Sequence, residues 1–120
     1  MMHPPKAYRC SQPWLLLQSV DNERDIFIDL AQVFRHETLA RYNDIARHAA
    51  AGACRDMAME AHSLKGTIGT VGATDLMALL VEIEQAGIKR AMPCSAEQLA
   101  RLSDLLAQVR DDMDDFLRTL

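Results

Sequence analysis

The 120 residues predict an all-α domain, an antiparallel four-helix bundle with a short N-terminal helix or strap. Three observations carry that prediction. Apolar residues recur at steps of three and four in four separate stretches; no stretch alternates with the two-residue period of a strand; and Gly52, Gly72 and the segment around Pro93 fall where connections belong. At 49% apolar and 25% charged residues, the chain has the composition of a soluble globular protein and the length to bury one modest core. A formal net charge of −4 and scattered basic residues argue against nucleic acid as a partner. Cys10, Cys54 and Cys94 are odd in number and far apart, with no CxxC pair and no histidine at ligand spacing. Neither a disulfide framework nor a metal site is expected, and a reducing cytoplasm fits best. No apolar run approaches the roughly 18 to 20 residues that cross a bilayer, and the start lacks a signal-peptide core.

Residues 1–10, with Pro4 and Pro5, read as a flexible arm, and residues 11–120 as the bundle domain. Pro13 suits the first turn of a short helix from residue 11 or 12 to about 20, with Trp14 and the following leucines covering one end of the bundle; a hydrophobic strap without regular structure is the alternative. Asp21, Asn22 and Glu23 offer capping groups and first-turn acids for the next helix. Its apolar positions fall into two sets, Phe27, Leu30, Ala31 and Phe34, then Leu39, Tyr42, Ala46 and Ala49, which do not share one stripe. A bend or a change of packing face near residues 35–38, or two helices with a tight joint, is therefore expected. Gly52 ends the segment, and Arg47 and His48 suit the negative end of its dipole.

A third helix is predicted over residues 53–71, stopped by Gly72, and a fourth over residues 73–89 with Leu76, Leu79, Leu80 and Ile83 inward. Glu82, Glu84 and Gln85 read as more exposed, and Gly87 as a weak point in the last turn. After a loop containing Pro93, Ser95 and Gln98 form a capping box, and Leu99, Leu102, Leu106, Val109, Met113, Phe116 and Leu120 form a seam. An intramolecular bundle seam is favoured over a coiled-coil dimer, since the other helices must bury their own stripes. A monomer follows. Asp111, Asp112, Asp114 and Asp115 read as a solvated face.

The third helix carries the candidate site. Met57, Ala61, Leu64, Ile68 and Val71 make one buried stripe. At about 100° per residue, His62 points roughly 140° from its middle, Gly66 roughly 180°, Gly69 roughly 120° and Lys65 roughly 80°. His62 therefore faces water beside an open strip of backbone, where each glycine costs on the order of 1 kcal/mol relative to alanine. Lys65 stands within reach of the imidazole. An exposed imidazole with small neighbours and a nearby cation suits a group that carries an anionic adduct, because phosphoryl transfer needs charge compensation and in-line access.

His62-Ser63-Leu64-Lys65-Gly66 resembles the His-x-Leu-Lys-Gly core of the histidine-containing phosphotransfer (HPt) domains, and Gly69, Val71, Gly72 and Ala73 resemble that family's downstream small-residue positions. The family commonly has Asn where Thr70 stands. The resemblance covers residues 54–88 closely and implies an antiparallel helical bundle that serves as a phosphorelay intermediate. His62 would be the phosphorylated residue, Lys65 its electrostatic support, and Met59, Gly66, Gly69 and Thr70 the surface a partner approaches. That partner would be the receiver domain of a response regulator or hybrid sensor kinase, which brings the aspartate and a bound Mg²⁺. The chain itself would hold no cofactor and would not be an enzyme in its own right. The competing readings are a phosphorylation-independent helical binding module with the same footprint and a purely structural four-helix domain.

Overall fold

A computed structural model describes residues 8–120. Five helices follow one another: α1 (Trp14–Ser19), α2 (Arg24–Ala50), α3 (Cys54–Gly69), α4 (Thr74–Lys89) and α5 (Ala96–Arg118). Among the described residues there is no strand. Short connections make α2 to α5 an up-and-down bundle, closed by α5 packing against α2, with α1 laid against α2. The arm expected over residues 1–10 lies outside the described residues as far as residue 7. Tyr8 and Cys10 lie on α5, the Tyr8 hydroxyl donating to Asp115 Oδ2 at 2.7 Å and the Cys10 thiol to Gln108 Oε1 at 2.6 Å.

The chain between α1 and α2 turns through Asp21 (φ 55°) and Asn22 (φ 61°), left-handed conformations that these residues tolerate better than most. They make a turn, and no side chain caps α2. That helix runs unbroken through residues 35–38, so the expected joint and change of packing face are absent. Its inward stripe is Phe27, Ala31, Phe34, Thr38, Ile45 and Ala49, one continuous face. Thr38 hides that continuity from the sequence. It is fully buried because its hydroxyl donates to the Arg35 carbonyl at 3.1 Å, while Leu39 beside it is 52% exposed.

Gly52 (φ 70°) turns the chain into α3, and Gly72 (φ 64°) turns it into α4. Gly87 is a packing residue. A Cβ there would collide with the Cys54 carbonyl oxygen and lie 2.8 Å from Ala58 Cβ, so its bare backbone lets α4 approach α3. The Ser95–Gln98 capping box starts α5. Along the predicted seam, Leu102, Leu106, Val109, Met113 and Phe116 are buried, with Leu99 and Leu120 partly so. The Phe116 ring meets Phe27 edge-on at 5.6 Å, tying α5 to α2. The acidic run is not simply solvated: Asp112 Oδ2 accepts from the Ser11 hydroxyl at 2.8 Å, Asp115 from Tyr8, and Asp114 pairs with Arg35 at 3.3 Å.

Candidate functional site

His62 sits in the middle of α3, where the helix backbone on either side is fixed. Met57, Ala58, Ala61, Leu64 and Ile68 anchor the inner face of the helix and turn the imidazole outward, with 62% of its side chain exposed. The ring is nevertheless held. Its Nδ1 lies 2.8 Å from Oε1 of Glu84 on α4, and Glu84 Oε2 lies 2.6 Å from Lys65 Nζ. Oε2 is enclosed, and the Lys65 ammonium at hydrogen-bond distance is its ion-pair partner.

Glu84 is the site residue that the sequence reading placed in solvent, and the structure corrects this: its side chain is 12% exposed. The Lys65 ammonium holds its carboxyl below the ordinary value of 4.5; burial pushes the other way, and the bond to His62 adds to the lowering. An ionised carboxylate has no proton to give, so the hydrogen between the two groups belongs to Nδ1. In the neutral ring Nε2 is then the nitrogen that carries the lone pair. A signal for Glu84 was present. It stands four residues after Leu80 and three before Gly87, a position flanked by inward neighbours where a carboxylate requires a partner. Lys65 touches Glu84, so its influence on the imidazole passes through a shared carboxylate.

The predicted approach surface divides. A Cβ on Gly66 would meet nothing within 4 Å. Gly66 and Thr70 line a groove of about 390 Å³ between α3 and α2, with Leu30, Val33 and Phe34 opposite. Thr70 turns its hydroxyl back to the Thr67 carbonyl at 2.7 Å, closing the end of α3 and leaving its methyl for contact. Gly69 belongs to a separate dimple of about 250 Å³ on the α4 side, where a Cβ would stand 3.7 Å from Met77 Cε. Met59, one turn before His62, is 52% exposed. Behind the groove, Arg41 on α2 bridges Glu37 at 3.3 Å and Glu60 on α3 at 2.7 Å, fixing the two helices side by side. Among the described residues no cluster of three or more His, Cys, Asp or Glu is placed to hold a metal ion, and no helix is long and apolar enough to cross a membrane.

No curated protein matches the chain. The fold is similar to that of a solved structure, histidine-containing phosphotransfer protein B from Pseudomonas aeruginosa PAO1, at a TM-score of 0.79 and 19% identity, covering 95% of this chain and 99% of that one. A family model described as Hpt domain matches residues 29–112, more than half of the chain and all of α3 and α4. With the His62–Gly66 motif inside that match, the chain belongs to the Hpt domain family.

Proposed function

We propose that the chain is a phosphorelay intermediate in which Nε2 of His62 takes a phosphoryl group from a receiver-domain aspartate and passes it to another. The observation that carries this reading is the Nδ1 to Glu84 contact. In the forward step the Nε2 lone pair forms the N–P bond while the acyl phosphate P–O bond breaks, and the aspartate leaves as a carboxylate. The ring keeps its Nδ1 hydrogen and becomes cationic, with the Glu84 carboxylate 2.8 Å away as counter-charge. No proton has to enter or leave. The reverse step runs through the same atoms, as a carrier requires.

The partner supplies the aspartate and the Mg²⁺ that neutralises the transferring oxygens. The chain supplies a held imidazole, open backbone at Gly66 and an apolar groove beside it, and turns over no substrate of its own. A cytoplasmic location and a monomeric state fit this role. The test is incubation with phosphorylated receivers, followed by detection of acid-labile phosphate on wild type and on His62→Gln. Labelling of wild type alone is expected. Equal labelling of both chains refutes the carrier assignment, and no transfer from any receiver favours the binding-module reading.

A further inference from the structure

The flank of α2 turned away from α3 carries two adjoining depressions, of about 360 and about 90 Å³, along the seam with α5. Around α2, the groove residues Leu30, Val33 and Glu37 stand roughly 70–130° to one side of the buried stripe and the rear residues Arg35, Leu39 and Tyr42 roughly 50–110° to the other. An occupant of one side therefore leaves the other free. The rear floor is apolar, with Leu39 52% exposed beside Tyr42 and over the buried Leu106. Its rim carries two guanidinium groups, Arg35 and Arg110, with the His36 ring beside them, and no carboxylate lines either depression. Asp114 stands at the edge, paired with Arg35 at 3.3 Å. Arg110, like Arg55, Arg90 and Arg101 elsewhere on the surface, has no ion-pair partner among the described residues, and it alone of these lines the groove. On a chain of net charge −4 this groove is a local reversal of sign around an exposed leucine.

We infer that the α2–α5 groove binds an acidic peptide segment of a partner protein, its apolar anchor on Leu39 and Tyr42 and its carboxylates against Arg110, Arg35 and His36. Charge complementarity selects this occupant. A second copy presenting the same groove would bring like charges together across a two-fold axis, and a polyphosphate backbone would meet an apolar floor and an acidic chain. From Gln32 to Asn43 the groove runs about 16 Å along α2, room for about five extended residues. A partner tethered here stays bound while a receiver visits His62, which raises its effective concentration at the site.

The probe is a fluorescein-labelled peptide of glutamates and leucines, titrated into the full chain and followed by anisotropy and amide chemical shifts. Saturable binding that weakens with salt is expected, with shifts at Gln32, His36, Leu39 and Ser103 and none at Ser63 or Gly66. Arg110→Glu is expected to weaken it about tenfold or more, with phosphoryl uptake at the wild-type rate; Arg110→Gln replaces it if the glutamate variant is misfolded by circular dichroism. The proposal is overturned by absence of saturable binding, by equal binding of the same peptide with lysine for glutamate, by indifference to the Arg110 substitutions, or by shifts centred on His62. Dimerisation of the free chain with shifts along Leu39 and Arg110 overturns it in favour of a second copy.

Discussion

Replacing Glu84 with glutamine is expected to move the His62 proton from Nδ1 to Nε2. In the native site two donors face one carboxylate, Nδ1–H at 2.8 Å and the Lys65 ammonium at 2.6 Å. A carboxamide offers one acceptor oxygen and one donor NH₂, and only the imidazole can exchange roles. The oxygen therefore goes to Lys65, and the NH₂ donates to Nδ1. A bond to a charged donor contributes about 1.5–3 kcal/mol against about 1 for a neutral one, so the preference is of order 1 kcal/mol. That corresponds to a fivefold to tenfold excess of the Nε2–H form, with a loss of transfer rate of about the same factor. Long-range ¹H–¹⁵N NMR reads the tautomer, and rapid-quench transfer from a phosphorylated receiver reads the rate. A Glu84→Gln variant that keeps the Nδ1–H tautomer and transfers within about twofold of wild type refutes the reasoning. Adding Lys65→Met removes the donor that claims the oxygen, so the double variant is expected to recover part of the native tautomer, a coupling that a double-mutant cycle measures.

Alanine at Gly66 is expected to stabilise the domain by about 1 kcal/mol, from helix propensity in open space, and yet to slow transfer by narrowing the approach to His62. At Gly87 the same substitution is expected to destabilise by about 1–3 kcal/mol, because a backbone oxygen and Ala58 stand in the way; urea unfolding of the two variants checks the opposite signs. Lys65→Met is expected to cost about 1–2 kcal/mol, since it leaves Glu84 with His62 alone, the pair being partly solvated. Because the folded Glu84 carboxyl titrates below 4.5, its contribution is present above that pH and is lost as pH falls through the folded value; wild type and Lys65→Met should therefore differ most above about pH 5 and converge in acid. Burial first, then the Asp115 bond, raises Tyr8 from 10.0 to about 12, so the stability it adds is present below pH 10 and fades toward pH 12. A Tyr8→Phe variant should show a shallower loss over that alkaline range than wild type.

Helix order and the cap of α5 were legible because they rest on local rules: the three-four period, glycines at the turns, and the Ser95–Gln98 box; the cap expected for α2 from Asp21 to Glu23 was not formed. His62 and Gly66 were legible for the same reason, since exposure on a helix follows from angle alone. What escaped depends on a neighbouring helix. Thr38 reads as a break in an apolar stripe until its hydroxyl is seen closing on the Arg35 carbonyl, which makes it an acceptable core residue. Asp112 and Asp115 read as solvated until the N-terminal segment lies across α5. Glu84 reads as a surface acid until α3 brings a lysine and an imidazole to it.

Gly87 and Glu84 belong to one argument. A carboxylate on α3 itself at position 59 or 66, the exposed neighbours of His62, would share the ring's exposure, and water would compete for Nδ1. Placed on α4, the carboxylate is buried and held by Lys65, but it reaches the ring only if the two helices lie close together. The bare backbone of Gly87, one turn beyond Glu84, allows that approach where α4 crosses Cys54 and Ala58. Alanine at position 87 therefore acts twice, by forcing the helices apart and by lengthening the 2.8 Å contact on which the tautomer of His62 depends. Its transfer defect is expected to carry the same Nε2–H signature as Glu84→Gln, which a loss of stability alone would not produce.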